Sequence, residues 1–292
     1  MIGVPSGAGA RRNGHELGPA SLRGAGLVEA LRVRGFDVHD AGDLPAAAFF
    51  PDPQNPRRQN LDRVIKVARS VAAAVAREFG NGRFPLLLGG DCTITIGALS
   101  GLSRRSPDPG LVYIDGDLDL NTPETSPSGI FDGMVAAHLV GGGAQELARI
   151  GPAYPLVDER RLVLFGFNTA AGGVDPPELE ALRRSAALRY PVETVRLDPG
   201  AAAREALAIL EQRAQRFLLH FDVDVTDTLA VDVTHPGGLS LAATVDALRV
   251  FAAHPACAGL VVTEFNPALD ADGTEAQRYA AAIADALGGV ST

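Results

Sequence analysis

Five carboxylates in two short stretches are the residues best suited to do chemistry. Asp115, Asp117 and Asp119 alternate along the run DGDLD, directly after the apolar residues 111–114. Asp222 and Asp224 again stand two apart, closing the run RFLLHFDVD over residues 216–224. A strand that continues through either run sends its alternate side chains to one face. Like charges on one face repel strongly away from water, and a divalent cation among them removes the conflict. One such cluster also reads as an acidic turn at a strand end. Two clusters at two strand ends, where open parallel sheets place their chemistry, predict a site for hard cations, with room for two.

The elements that must position these ends follow from the hydrophobic pattern. Apolar runs predict strands over residues 1–4, 36–39, 84–88, 111–114, 161–167, 190–195, 216–224 and 260–262. Between them lie helical patterns from Ser21 onward and over residues 61–79, 93–102, 134–139, 176–188, 201–216, 240–253 and 274–287. Residues 46–60 hold three prolines and read as a loop, and Gly89-Gly90 permits a tight strand-to-helix turn. Strict alternation predicts an α/β fold, a doubly wound and mostly parallel sheet of about eight strands covered on both faces.

With 292 residues, 46% of them hydrophobic, and no linker or repeat, the chain is expected to form one domain over residues 1–292. A net charge of −9 argues against binding nucleic acid or an anionic membrane through overall charge. No apolar run approaches the roughly 20 residues that span a bilayer. No basic segment followed by an apolar one opens the chain, and Cys92 and Cys257 are too few for a disulfide framework, so a cytoplasmic location is expected.

Five motifs in order resemble the ureohydrolase family of arginases, agmatinases and formiminoglutamases. These are GHELGPASLRGAGL, GGDCTITIG, DGDLDLNTPETSPSGIFDGM, HFDVDVTDTLAVDVTHPGGLS and VVTEFNPALD. The resemblance runs from end to end and implies an arginase-like, three-layer α/β/α fold. It also implies a Mn²⁺ pair, a trimer or hexamer, and hydrolysis of a guanidino or amidino C–N bond by metal-bound hydroxide. Carried over residue by residue, it makes Cys92, Asp115, Asp117, Asp119, Asp222 and Asp224 the metal ligands, with Asp115 and Asp222 bridging. Glu264 matches a glutamate that pairs with the substrate guanidinium. Asn121, Ser126 and Ser128 match the positions that hold an α-carboxylate in the arginase branch. Residues 165–169 fall where an aspartate for the α-amino group is expected, and they supply none.

Three positions depart from the family pattern. Cys92 and Asp117 stand where it has histidine ligands, and Asp132 stands where it has a proton-shuttling histidine. Five carboxylates, or six anions with a Cys92 thiolate, exceed the charge of two divalent ions, and unbalanced buried charge is costly. A neutral Cys92 thiol that binds nothing, a protonated carboxyl, or nearby cations would restore the balance. The ligand set favours one ion held by Asp115, Asp117, Asp222 and Asp224, with the second open, and all-oxygen ligation suits Mn²⁺ or Mg²⁺ better than zinc. His235 is the nearest candidate to replace the shuttle, and a solvated loop residue is its plainer reading. His220 reads as core, or as lying behind the ligands. His15, His39, His138 and His254 read as surface or packing residues. Two functions follow: a metal-dependent hydrolase acting on an arginine-, agmatine- or formiminoglutamate-like compound, or a family member without turnover that serves as a ligand-binding or assembly partner.

Overall fold

The computed structural model describes residues 1–169 and 174–288. Seven strands form one sheet, all in parallel: β1 (Ile2–Gly3), β2 (Leu86–Leu88), β3 (Gly110–Ile114), β4 (Leu162–Phe165), β5 (Leu188–Tyr190), β6 (Phe217–Asp222) and β7 (Cys257–Thr263). Their order across the sheet is β1-β2-β7-β6-β3-β4-β5. The helices between them are α1 (Gly18–Gly24), α2 (Leu27–Val33), α3 (Leu61–Gly80), α4 (Ile94–Ser103), α5 (Val135–Leu139) and α6 (Gln145–Ala148). They continue with α7 (Pro176–Arg184), α8 (Val192–Val195), α9 (Pro199–Leu210), α10 (Leu241–Ala252) and α11 (Thr274–Leu287).

The period of two along the strands splits the core into two layers. Val112, Ile114, Val163, Phe165, Leu219 and Phe221 face α1, α2, α9, α10 and α11. Leu111, Tyr113, Leu162, Leu164 and Leu218 face α3 to α7. Each face is apolar, so a parallel sheet buried on both sides results. Helix α3 turns Val64, Val67, Val71 and Val75 inward at helical spacing. Ser240 and Asp198 cap α10 and α9 by accepting from the backbone N–H three residues on, at 3.2 and 2.8 Å.

Three details differ from the sequence pattern. Residues 36–39 form no strand; the neighbouring chain contributes a lone bridge from Gly3 to Asp43. The expected strand over 190–195 ends at Tyr190, because Pro191 offers no N–H to the ladder and α8 begins after it. Strand β3 stops at Ile114 and β6 at Asp222, so neither carries on through its carboxylates. A pleat therefore does not gather them; turns do.

Candidate metal centre

Four neighbouring strand ends feed one cavity. Ile114 of β3 is in register with Phe221 of β6, so Asp115 and Asp222 emerge side by side. On the other flank Asp222 pairs with Thr263 of β7, which Glu264 follows, and the exit of β2 leads to Cys92. Each acidic run then folds back on itself in the same way. The Asp117 N–H donates to Asp115 Oδ1 at 2.7 Å and the Asp224 N–H to Asp222 Oδ1 at 2.8 Å. Gly116 N–H donates to Asp224 Oδ1 at 3.0 Å and joins the two turns.

Close approach dictates two glycines here. A Cβ on Gly116 would meet the His235 ring at 2.4 Å, and one on Gly90 would meet the Ser6 carbonyl at 2.3 Å. Gly90 thus serves packing rather than a left-handed turn. Asp119 (φ 51°) and Glu264 (φ 65°) do adopt left-handed backbone, which is uncommon outside glycine and concentrates at functional sites.

The cavity, about 70 Å³, is lined by all five aspartates with Cys92, Asp132 and Glu264. Donor atoms lying within 4.8 Å of one another define three groups among the described residues: Cys92 with Asp115, His220 and Asp222; Asp117 with Asp224 and His235; and Cys92 with Asp132 and Glu264. Asp119 stands apart from these groups and accepts a hydrogen bond from the Tyr113 hydroxyl. The Oδ2 atom of Asp115 is buried without a hydrogen-bond partner, as is Nε2 of His235. Unpaired buried polar atoms are costly, and a cation suits both the orphaned oxygen and the donor set around it.

Burial and mutual repulsion set the electrostatics. Burial, followed by the charge of Asp224, holds both Asp115 and Asp222 well above the usual carboxylate range. Burial raises Glu264 likewise, with Asp132 the next cause, and Asp132 itself rises to about 7 through burial and the charge of Asp91. The Cys92 thiol is pushed up by burial and by Asp222. Its backbone N–H donates to Asp132 Oδ1 at 2.8 Å and to Glu264 Oε1 at 3.0 Å. His235 lies in the THPGG loop, yet it is buried, with Nε2 3.5 Å from an oxygen of Asp117 and 3.5 Å from one of Asp224. Burial opposes its charge, but the two aspartates outweigh it and lift its pKa to about 11. Of the ways to balance the site, one cationic candidate is in place: the His235 ring set against Asp117 and Asp224.

Two further histidines approach the cavity. His220 is fully buried behind Cys92, and burial lowers its pKa to about 3, so the ring is neutral. His15 is fully buried as well, with Nε2 3.2 Å from Asp232 and 3.6 Å from Glu264. Its reading as a surface or packing residue misses those carboxylates, and only its place inside GHELGP hinted at them. His138 does serve packing, His254 is a half-exposed partner of Glu211, and His39 is exposed.

Asn121, Ser126 and Ser128 line the mouth of the same cavity. Ser126 and Ser128 hydroxyls lie 3.3 Å apart, and Ser126 Oγ accepts from the Gly129 N–H at 3.0 Å. Asp175 joins them: Asn121 Nδ2 donates to its Oδ2 at 3.4 Å, and it lines the cavity with Arg11. Residues 165–169 hold no carboxylate, and the one that lines this side of the cavity is Asp175. Asp175 caps α7, and the cue was an Asp before Pro-Pro-Glu, where Glu178 Oε2 accepts from the Asp175 N–H at 3.3 Å.

A model of the arginase family matches residues 1–288. The arginase of Bacillus caldovelox is 33% identical over 276 residues, covering 92% of this chain and 91% of its own. Human arginase-1 is 34% identical over 278 residues, covering 92% of this chain and 85% of its own. The solved Bacillus caldovelox arginase superposes with a TM-score of 0.90 at 32% identity, over 98% of this chain and 97% of its own. A Trypanosoma cruzi formiminoglutamase solved with two Mn²⁺ ions shares the fold, with a TM-score of 0.76 at 19% identity over 99% and 91% of the two chains.

Proposed function

The chain belongs to the arginase family, and on that premise we propose that it is a metal-dependent hydrolase of a guanidino compound with an amino-acid end. One observation carries the reading: strand ends far apart in sequence deliver Asp115, Asp117, Asp222, Asp224 and Glu264 to one cavity, with Asp115 Oδ2 left unpaired. Asp115, Asp117, Asp222 and Asp224 would hold the ions, with Asp119 and Cys92 beside them. Divalent cations there supply Lewis-acid activation of water and offset the carboxylate charge.

The remaining roles belong to the chain's own side chains. Glu264 faces the cavity and pairs with the cationic guanidinium. Asp132 accepts from the Cys92 N–H through Oδ1 and lines the cavity, where its carboxyl would carry a proton to the departing amine. Water adds to the guanidinium carbon as its bond to that nitrogen breaks. His235 is turned toward Asp117 and Asp224, so its part is to steady their charge. At the mouth, Asn121, Ser126 and Ser128 suit an α-carboxylate and Asp175 an α-ammonium, which favours an arginine-like substrate over agmatine or formiminoglutamate. Mn²⁺ is the family's expectation for the ion, and one continuous sheet supports a single domain over residues 1–292. A trimer or hexamer completes the proposal, to be read by light scattering.

The test is release of the small product from L-arginine, agmatine and N-formimino-glutamate, with Mn²⁺, Mg²⁺, Co²⁺ or Ni²⁺ added. Turnover of none of them overturns the proposal. A second reading, a binding or assembly protein without turnover, has one observation in its favour: His235 reaches both Asp117 and Asp224 and can offset one of their two charges without an ion. Elemental analysis separates the two. Metal retained on the purified chain supports the hydrolase, and none after soaking in Mn²⁺ supports the alternative.

A further inference from the structure

We infer that His220 and Cys92 are themselves ligands, and that the inner half of the centre is a nitrogen–sulfur–oxygen site for a borderline cation such as Zn²⁺ or Co²⁺. The inference rests on the metal-centre reading above but not on turnover. His220 Nε2 lies 3.6 Å from Cys92 Sγ and 3.6 Å from Asp115 Oδ2, the buried oxygen that has no hydrogen-bond partner. With Asp222, these four donors lie within 4.8 Å of one another and are all buried. A tetrahedron with metal–nitrogen and metal–oxygen bonds of 2.0–2.2 Å and a metal–sulfur bond of 2.3 Å has edges of about 3.4–3.6 Å. The two His220 separations already match.

The surroundings of the ring complete the case. Nδ1 of His220 lies 2.8 Å from Thr95 Oγ1, and the ring stacks on Tyr113 with centroids 4.0 Å apart at 4°. With Nδ1–H donating to the Thr95 hydroxyl, the Nε2 lone pair would face Cys92 and Asp115, the arrangement common in metal-bound histidines. The contact of Cys92 with Asp222 is shorter than a tetrahedral edge and must open. Its Sγ now donates to Asp222 Oδ2 at 2.7 Å. Cation binding would release that proton to solvent, leave the sulfur as thiolate and open the contact to the tetrahedral edge. Such a donor set favours Zn²⁺ or Co²⁺ over Mn²⁺, which prefers oxygen.

The test is spectroscopic. Metal-free protein is loaded with Co²⁺ and its absorption recorded. A thiolate-to-cobalt charge-transfer band in the near ultraviolet is expected, and it should vanish in Cys92→Ser. His220→Asn should weaken Co²⁺ binding at least about tenfold, with folding checked by circular dichroism. Should that variant not fold, X-ray absorption of the Zn²⁺-loaded wild type decides: one sulfur at about 2.3 Å with an imidazole shell is expected. A cobalt spectrum without the band, an oxygen-only shell, or unchanged affinity in a folded His220→Asn overturns the inference. Inactivity of the loaded enzyme would overturn only the proposed reaction.

Discussion

His235 Nε2 stands 3.5 Å from Asp117 Oδ2, although 118 positions separate them in the chain. Removing the ring leaves two aspartates uncompensated. His235→Gln should therefore destabilise the metal-free protein by about 2 kcal/mol at neutral pH, read from urea unfolding in EDTA. Adding Asp117→Asn should recover part of the loss; additive losses in the double variant would refute the coupling.

Metal that binds only the folded chain must stabilise it. At 100 times its dissociation constant a divalent ion adds about 2.7 kcal/mol, worth about 4 °C in a chain of 292 residues. Differential scanning fluorimetry in EDTA and in Mn²⁺ or Co²⁺ should show that rise. Asp222→Asn should abolish it, and identical curves for the wild type would count against a bound ion.

On the proposed reading, Glu264 is the anion that faces the guanidinium. Glu264→Gln should lower kcat/KM by about 100-fold or more, with metal content measured alongside to confirm that the centre is still filled. Activity near that of the wild type would remove the residue from substrate binding.

Asp175 distinguishes substrates by their ammonium group. Asp175→Asn should raise KM for arginine about 10–100-fold, the equivalent of a charge-assisted hydrogen bond. A guanidino acid lacking the ammonium should be unaffected. An equal change for both compounds would show that Asp175 only caps α7.

His138 makes the fold sensitive to acid. Its Nε2 accepts from the Ala144 N–H at 2.8 Å and its Nδ1 donates to the Met134 carbonyl at 2.7 Å. Burial then lowers its pKa to about 4 from the ordinary 6.5. The unfolded chain takes up a proton on this ring below pH 6.5 while the folded chain refuses it until pH 4. Its contribution is whole above pH 6.5 and falls by about 3 kcal/mol as the pH drops to 4. His138→Gln should be less stable at pH 7 and show a flatter decline, by urea titration at both ends of that range.

Much of the fold was legible because β3, β6 and β7 are built on short apolar runs, and the carboxylates declare themselves by type and spacing. The positions of His220, His235 and Asp175 were not. Each acts across a gap between elements distant in the chain: 128 residues from His220 to Cys92, and 54 from Asp175 to Asn121. No local period records such a meeting. Strand β3 ends at Ile114 as its apolar run implies, and beyond it the Asp115 side chain captures the Asp117 N–H, so a turn rather than a pleat gathers the carboxylates.

An active centre fed by several parallel strands is tolerant of trades. On the proposed reading, Cys92 stands where the family resemblance implies a ring, and the ring of His220 enters the same small volume from β6. A helix that carries its ligands at fixed offsets has no such freedom, because moving one group moves it around the axis and away.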